Sequence, residues 1–335
     1  MSAPLWITEA DVTAMMDISG AINALEAALL AEARGDAQNM VKTHVAWGGG
    51  DTLHAIGAAF PAEGVVGTKT WAHTHGGATP LLILFDSHDG SLRAVLEAFA
   101  LGQLRTGAAS AVATRWLAAA DADELAMIGT GKQAITQVAA IAAVRRLRRV
   151  RVFGPTPERR AQFAARVRQE LGLEAVEAQS VRQATEGAPI VTLATRATAP
   201  FLTADMLAGG AHVNAIGAIV PSRSEFSADV LQRATCVVAD SVPSAQRLAR
   251  ELIDFYGPAD APGWHAVLPL ASIVAQQRRR GPHDTVTVFK SLGMGISDLA
   301  LAIALYREAV RNGRGRTLEA PRRVLPQLAA QKTTA

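Results

Sequence analysis

The first part of the chain shows two different periodicities of apolar and polar positions. Residues 17–35 carry apolar side chains at every third or fourth position, which predicts a helix that ends at Gly35. Residues 41–96 alternate apolar and polar positions in short segments separated by glycine-rich breaks, and these predict an antiparallel meander of about five strands. A second helix is predicted over residues 99–119.

The sequence pattern changes after Asp123, where apolar runs alternate with helical patterns. Strands separated by helices are typical of βαβ units, so this part predicts a doubly wound parallel sheet of Rossmann type, and the chain as a whole is α/β. Asp298 is expected to favour the first turn of the last helix. The predicted strands cover residues 124–128, 150–153, 174–178, 189–195, 211–217, 236–241 and 286–290, and the predicted helices cover residues 132–147, 157–171, 244–254 and 298–312.

A glycine turn joins the first of these strands to its helix. Gly129 and Gly131 follow the apolar run 124–128, and Ala134 lies at the start of the helix. A Gly-x-Gly-x-x-Ala turn in this position is an arrangement that binds a dinucleotide pyrophosphate, because the glycines let the backbone approach the phosphates and the helix N-terminus offers N–H groups. An ordinary structural turn is the alternative.

The end of the second predicted strand indicates which dinucleotide is preferred. NAD-binding enzymes usually place Asp or Glu there, to bind the ribose hydroxyls. This chain has glycine, proline and Thr156 instead, and Arg159 and Arg160 follow within reach of a 2′-phosphate, whereas Glu158 lies inside the predicted helix. These residues favour NADP(H), with NAD(H) as the alternative.

Two cations lie among apolar neighbours. Lys69 shares one face of a predicted strand with Val65 and Trp71, where partial desolvation would lower its pKa and make the amine a proton donor near neutral pH. Arg105 lies on the apolar stripe of the predicted helix 99–119, where its planar guanidinium would bind a carboxylate. The alternatives are an edge-strand lysine exposed to water and an arginine in a structural ion pair with a distant Asp or Glu.

Histidines gather in the meander at His44, His54, His73 and His75. Zinc needs three or four converging ligands without a competing cation. Because Lys42 lies beside these histidines, we expect no metal site, and we expect the rings to face solvent or the wall of a pocket.

Composition narrows the class of protein further. The 335 residues allow two domains, and 49% apolar with 19% charged residues is ordinary for a globular protein. No apolar run reaches the roughly 20 residues that span a bilayer, and the N-terminus lacks the features of a signal peptide, so no membrane partner is expected. Cys236 is the single cysteine, which suggests a reducing cytoplasm and an inert core residue. The arginine clusters 145–151 and 278–280 lack neighbouring aromatics, so we expect a solvated surface and no nucleic-acid partner.

Six motifs in a fixed order resemble those of the ornithine cyclodeaminase/mu-crystallin family. The resemblance extends from about Leu5 to Ala309, and six ordered motifs are far more specific than any one of them. The motifs are Lys69-Thr70, Arg105–Ser110, Gly129–Ala134, Ala194-Thr195, His212–Ala218 and Val288–Met294.

The resemblance implies a substrate-binding and dimerisation domain at residues 1–120, a Rossmann domain at 121–297, and a C-terminal helix, 298–320, that returns to the first domain. A homodimer follows from this organisation. The resemblance also implies that Lys69 lies near the nicotinamide and the reacting carbon–nitrogen centre, and that Arg105 holds the substrate carboxylate. The expected substrate-binding residues are Lys42, His54 and Trp71, and the expected cofactor-binding residues are Thr106, Gly129, Thr130, Gly131, Gln133, Ala134, Thr156, Arg159, Ala194, Thr195, Ile216, Gly217, Ser291 and Gly293.

The chain departs from the cyclodeaminases at three positions. It has Ile219 where they carry an aspartate, His54 where they carry an acid, and Lys42 in place of a substrate-binding arginine. Releasing ammonia and closing a ring requires acid/base groups for both nitrogens. The resemblance is therefore closer to the mu-crystallin-like ketimine reductases.

Three functions follow from these features as hypotheses. The first is a cytoplasmic NADPH-dependent reductase of imines, or equivalently an amino acid dehydrogenase, which acts on a small imine, amine, amino acid or oxo acid. The second is a cyclodeaminase-type ammonia lyase with catalytic NAD. The third is a non-catalytic protein that binds NADPH and small ligands.

Overall fold

The structure, a computed structural model, describes residues 3–328. Its strands are β1 (Leu5–Ile7), β2 (Gln38–Asn39), β3 (Thr43–Trp47), β4 (Asp51–Phe60), β5 (Val65–Thr74), β6 (Gly77–Ala78), β7 (Leu81–Asp86), β8 (Leu92–Glu97), β9 (Glu124–Ile128), β10 (Arg149–Phe153), β11 (Glu174–Glu177), β12 (Ile190–Leu193), β13 (His212–Ala215), β14 (Ala234–Ala239), β15 (Val267–Pro269), β16 (Val286–Lys290) and β17 (Arg316–Thr317). Its α-helices are α1 (Glu9–Met15), α2 (Ile18–Arg34), α3 (Phe99–Leu117), α4 (Ala134–Ala142), α5 (Pro157–Leu171), α6 (Val181–Thr185), α7 (Ala228–Arg233), α8 (Val242–Leu248), α9 (Arg250–Tyr256), α10 (Leu270–Ala275) and α11 (Gly295–Asn312).

Strands β1–β8 and β17 form a first sheet, in which all pairs are antiparallel except β1 with β8. This confirms the predicted meander. Helix α11 packs against β4 and β5 and also contacts α2 and α3. The buried core between them includes Leu82 and Leu84 of β7 and Leu96 of β8. A helix from the end of the chain therefore lies on the first sheet.

A very close contact fixes the start of α11 on this sheet. A Cβ atom at Gly295 would stand 1.8 Å from the carbonyl oxygen of Gly57 in β4. Only glycine fits there, because any side chain would push the helix away from the sheet. The contact places Asp298, in the first turn of α11, over the sheet face that carries Lys69 of β5.

Strands β9–β16 form a second sheet that is parallel throughout, with the order β11-β10-β9-β12-β13-β16-β14-β15. After β9, the chain first adds β10 and β11 on one side of this strand. It then crosses over and adds β12 and the later strands on the other side. Dinucleotides bind at such a switch point, outside the carboxyl ends of the strands. The predicted doubly wound Rossmann-type sheet is confirmed, and its switch point lies beside the glycine turn after β9.

Helix α3 connects the two sheets. A Cβ atom at Gly107 would lie 3.0 Å from Thr136 of α4, so the two helices are in close contact. At the other end of α3, the Thr114 hydroxyl accepts a hydrogen bond of 3.0 Å from the side chain of Asn214 in β13. The helix therefore holds Arg105 in a fixed position relative to the second sheet.

Helix α4 is shorter than predicted, spanning Ala134–Ala142 rather than residues 132–147. Beyond the end of this helix, Arg145 turns to the end of α3, where it donates hydrogen bonds to the carbonyls of Thr114 (2.8 Å) and Ala118 (2.9 Å). The last carbonyls of a helix lack hydrogen-bond donors within the helix, and the Arg145 guanidinium donates to those of α3. The predicted solvated surface is therefore wrong for Arg145.

The helix predicted over residues 244–254 is two helices, α8 and α9, separated at Ala249. No glycine or proline marks the break. The bend places Glu251 of α9 against Lys290, with 3.1 Å between the carboxylate and the ammonium. A buried ion pair thus lies just beyond the break between α8 and α9.

Cys236 is buried in β14, as predicted for a core residue, and burial raises the pKa of its thiol.

Within residues 3–328, no single helix is both long and apolar enough to cross a bilayer. Helices α1 and α2 reach the required length and apolar character only when they are taken together, and the chain bends by 86° between them.

Candidate functional site

Lys69 and Asp298 form a buried ion pair on the first sheet. β5 lies between β4 and β7, so Lys69 is not on an edge strand. Its side chain is 5% exposed, that of Asp298 is 0% exposed, and Lys69 Nζ donates to Asp298 Oδ1 at 2.5 Å. The alternative of an edge lysine exposed to water is therefore wrong.

Arg105 lies beside the same carboxylate. Its Nε is 3.4 Å from Asp298 Oδ1, and its side chain is 19% exposed. Gly293 leaves room for the guanidinium, since a Cβ atom there would stand 2.6 Å from Arg105 Nη1. Asp298 is thus the distant acid that the alternative for Arg105 requires. Arg105 Nε is buried and makes no hydrogen bond to a described residue, while the side chain as a whole remains partly exposed.

Burial lowers the pKa of Lys69 from its ordinary value of 10.5 to about 8. The charge of Asp298 opposes this effect, whereas the charge of Arg105 lowers the pKa further. The amine is mostly protonated at neutral pH but is close to its titration. Such a group can donate a proton and regain it near physiological pH.

Stacked rings line the sheet face next to Lys69. The ring centroid of His54 lies 4.8 Å from that of Trp71 and 5.5 Å from that of His44. Lys69 Nζ lies 5.2 Å from the centroid of the Trp71 ring. Burial, and then the charge of Lys42, lower the pKa of His54 to about 4, so its ring is neutral at pH 7. The predicted substrate-binding residues therefore come together around Lys69.

Lys42 adds another cation to this group. Burial and the charge of Arg105 lower its pKa, and the charge of Asp298 acts in the opposite direction. Cations exceed anions here, so the arrangement favours an anionic ligand. His73 and His75 are exposed, and the described residues contain no group of three or more His, Cys, Asp or Glu that could hold a metal ion.

Asp240 holds the loop that approaches Arg105. Its carboxylate accepts hydrogen bonds from the Ser291 hydroxyl (2.8 Å) and from the backbone N–H groups of Leu292 (3.0 Å) and Gly293 (2.8 Å). The predicted cofactor-binding positions Ser291 and Gly293 are therefore fixed from beneath. The loop follows β16, on the same edge of the second sheet as the glycine turn.

The glycine turn after β9 has the features that a pyrophosphate requires. Gly129 has a φ of +112°, and a Cβ atom there would stand 2.5 Å from the Ala194 carbonyl oxygen. A Cβ atom at Gly131 would meet nothing within 4 Å, so the backbone there is open to a ligand. Helix α4 has no side-chain cap, and Gln133 Oε1 is buried without a partner in the described part of the chain. A helix N-terminus of this kind fits an anionic group.

The end of β10 presents two predicted cofactor-binding residues to solvent. Thr156 precedes α5 without capping it by a side-chain hydrogen bond, and Arg159 is exposed in the first turn. Arg160 points inward, where it donates to the Gly154 carbonyl (3.1 Å) and to Glu177 (3.2 Å). The prediction that Arg160 reaches a 2′-phosphate is wrong, because its buried guanidinium is already held by these two partners. A Cβ atom on Gly154 would lie 3.0 Å from the Thr130 side chain.

The other predicted cofactor positions follow β12 and β13 or lie in α3. A Cβ atom on Gly217 would stand 2.2 Å from the Thr195 carbonyl oxygen, so these two loops are in close contact. Ile216 is buried between them and the sheet. The Thr106 hydroxyl donates to the Gly102 carbonyl within α3 (2.8 Å).

Asp298 and Glu225 are among the buried acids of this region that were not predicted as site residues. Asp298 was expected only to favour a helix start, although an acid in the apolar run Gly295–Leu305 was a signal that it is buried. Glu225, which is fully buried beside Thr195 and Gly217, follows no motif. Both contact residues that are distant in the sequence, so their partners could not be found from spacing.

Known proteins resemble this chain over most of its length. A model of the ornithine cyclodeaminase/mu-crystallin family matches residues 4–313. Δ1-Pyrroline-2-carboxylate reductase of Bacillus cereus is 32% identical over 279 residues, which are 80% of this chain and 81% of that protein. Ketimine reductase mu-crystallin of Rattus norvegicus is 31% identical over 225 residues, which are 67% of this chain and 68% of that protein.

A solved structure has the same fold. It is that of Thermococcus litoralis Δ1-pyrroline-2-carboxylate reductase in complex with NADH and L-proline, with 26% sequence identity and a TM-score of 0.87. The similarity covers 94% of this chain and 100% of that chain.

Proposed function

Because the chain belongs to the ornithine cyclodeaminase/mu-crystallin family, we propose that it is a nicotinamide-dependent oxidoreductase that reduces the C=N bond of small imino acids. One observation carries the proposal: a buried lysine with a lowered pKa lies beside an arginine that can bind a carboxylate. Relatives named as pyrroline-2-carboxylate reductase and ketimine reductase support the same reaction.

Arg105 binds the carboxylate of the substrate through its planar guanidinium, and Lys42 adds positive charge from the meander. Asp298 contacts both Arg105 and Lys69, so it fixes the spacing between the carboxylate-binding group and the proton donor. The substrate carbon next to the carboxylate then lies where the double-bonded nitrogen can face Lys69.

The glycine turn and the loops after β12, β13 and β16 would hold the nicotinamide nucleotide, which when bound would supply a hydride to the imine carbon. Lys69 supplies the proton to the nitrogen, so one C–H and one N–H bond form as the C=N π bond breaks. The lysine is left neutral beside Asp298, whose negative charge favours its reprotonation from solvent. Reversal of these steps oxidises an amino acid to its imine.

The proposed proton transfer predicts a pH dependence. The pKa of Lys69 is lowered to about 8, and reduction needs the protonated amine. We expect kcat/KM for reduction to be constant near pH 7 and to fall above pH 8, and oxidation of the amine to rise over the same range. Rate measurements from pH 5 to 10 test this.

The pKa of His54 is lowered to about 4, so this histidine should produce no change in rate near pH 6.5. A reductive rate that increased through pH 8 would contradict the role given to Lys69.

We propose that NADP(H) is preferred over NAD(H). Thr156 and Arg159 are exposed after β10, and the single acid of this turn, Glu158, lies within the first turn of α5 rather than at the end of the strand. Arg159→Ala should raise the Kd of NADPH roughly 10- to 100-fold, because a charge-assisted contact with the 2′-phosphate is lost, and should leave that of NADH nearly unchanged.

Fluorescence titration measures both nucleotides. Arg166→Ala is the matched control, since Arg166 is an exposed arginine of the same helix and pairs with Glu170. Equal effects of Arg159→Ala on NADPH and NADH would contradict the preference.

We also propose the division into a first domain of residues 1–120, a Rossmann domain of residues 121–297 and a returning helix at 298–320, and a homodimer in the cytoplasm. Val45 and Leu53, which are 58% and 45% exposed, are neighbours on the face of the first sheet opposite Lys69. Exposed apolar surface of this kind favours association with another subunit.

A panel of cyclic and amine-derived imines, assayed in parallel with NADPH and NADH, tests the proposed reaction. Turnover of 2-imino acids supports it. Absence of turnover across the panel, with nucleotide shown to bind, would contradict it and favour a non-catalytic binding protein.

A further inference from the structure

Glu225 connects the ends of two strands in the second sheet. Its side chain is fully buried. Oε1 accepts hydrogen bonds from the backbone N–H and the hydroxyl of Thr195, both at 2.8 Å. Oε2 accepts from the backbone N–H groups of Gly217 (2.8 Å) and Ala218 (3.0 Å). Both carboxylate oxygens are therefore fully engaged with the loops that follow β12 and β13.

The loops after β12 and β13 lie in the middle of the crevice at the carboxyl ends of the strands of the second sheet. The strand order places β12 and β13 between β9, which precedes the glycine turn, and β16, which leads to Gly293 and Arg105. A dinucleotide that extends from the turn toward Arg105 must cross both loops. Gly217 permits no side chain, because its Cβ atom would lie 2.4 Å from Glu225 Oε1. The surface that a dinucleotide would contact is thus the backbone of these two loops, which Glu225 holds through hydrogen bonds from the side of the sheet.

A second acid holds Glu225 itself. Glu251 Oε1 accepts a hydrogen bond from the Glu225 backbone N–H (3.0 Å) and another from Lys290 Nζ (3.2 Å). Lys290 pairs with Glu251, and Glu225 has no ion-pair partner in the described part of the chain. The charge of Glu225 therefore lies under the crevice without a directly paired cation.

We propose that Glu225 is a positioning residue for the nicotinamide end of the cofactor, and that its buried charge favours the oxidised ring over the reduced ring. The inference rests on the proposed function. The oxidised ring carries a positive charge that the reduced ring lacks, and attraction to a buried carboxylate is strong where water is excluded. The residue thereby assists hydride transfer to the substrate without contacting it.

Binding titrations of Glu225→Gln with NADP⁺ and NADPH test the proposal. The amide is isosteric but neutral, and its NH₂ group cannot accept from the backbone donors. We expect the Kd of NADP⁺ to rise about tenfold and that of NADPH by a clearly smaller factor. Calorimetry at pH 7 measures both values. An equal rise for both nucleotides, or no rise, would overturn the inference.

Glu225→Asp keeps the charge and shortens the side chain, so it should weaken both nucleotides by the same factor. If Glu225→Gln is insoluble, the Glu225→Asp variant tests the inference instead. A change in the ratio of its Kd values for NADP⁺ and NADPH would contradict the inference. Asp229→Asn is the matched control, since Asp229 also accepts a backbone hydrogen bond, from Ala204 at 2.9 Å, and should leave both affinities unchanged.

The readout is binding rather than turnover. A wild-type protein that binds both nucleotides but reduces no imine would contradict the proposed function and leave this inference open to its own test. A wild-type protein that binds neither nucleotide would overturn both.

Discussion

Replacing Lys69 with methionine is expected to lower kcat for imine reduction about 10³-fold while changing the Kd of NADPH less than twofold. Methionine matches the length of lysine but supplies no proton, and a positioned general acid contributes on the order of 10² to 10⁴ in rate. The variant leaves the nucleotide-binding loops unchanged. Stopped-flow reduction of a cyclic 2-imino acid, together with nucleotide titration, measures both quantities.

The substitution also leaves Asp298 buried without its closest partner, which destabilises a fold by about 3–5 kcal/mol in comparable cases. The double variant Lys69→Met/Asp298→Asn removes that charge and should regain thermal stability without regaining turnover. If the folded double variant reduced imines at the wild-type rate, Lys69 would not be the proton donor.

Replacing Arg105 with methionine is expected to raise KM for a 2-imino acid about 10²-fold, because the charge-assisted hydrogen bonds to the substrate carboxylate are lost. The effect should depend on the substrate. 1-Pyrroline, which lacks a carboxylate, should show a KM within about threefold of its wild-type value. Steady-state kinetics with both imines measures the difference.

Arg115→Met is the control for this experiment. Arg115 lies in the last turn of the same helix and pairs with Glu26, so its loss should leave both KM values unchanged. Equal losses with the two substrates in the Arg105 variant would mean that Arg105 supports the fold or the cofactor rather than the carboxylate.

The parts of the fold that were predicted correctly are those with strong local signals. The limits of β9 and β16 match the predicted strands, because buried parallel strands are continuous apolar runs. Helix α2 ends at Gly35, which adopts the left-handed conformation that the prediction requires. The glycine turn and a following helix are also present as predicted, although α4 is shorter than the predicted helix.

The partners of the buried acids could not be predicted because they are distant in the sequence. Asp298 and Lys69 meet only because Gly295 lets α11 contact β4 closely, and no periodicity carries that information. Arg145 is similar. Its helical pattern is clear, but the carbonyls that it binds are at the end of α3, which is distant in the sequence. Tertiary contacts override the local pattern at these positions.

The proposed site also contains an acid, Asp298, that lies outside the six sequence motifs. The cyclodeaminase aspartate is replaced by Ile219, which packs against the core of the second sheet, whereas Asp298 supplies a carboxylate next to Lys69. This carboxylate is held by the lysine in the ion pair. We therefore still favour reduction over ammonia release.

The most direct test of hydride transfer follows an isotope. The protein is mixed with NADPH carrying deuterium at both C4 positions and with pyrroline-2-carboxylate, and the proline formed is analysed by mass spectrometry and NMR. We predict one deuterium per proline, at C2, with one NADPH oxidised for each proline formed. Unlabelled product, or ammonia released from ornithine without net oxidation or reduction of the nucleotide, would contradict the account.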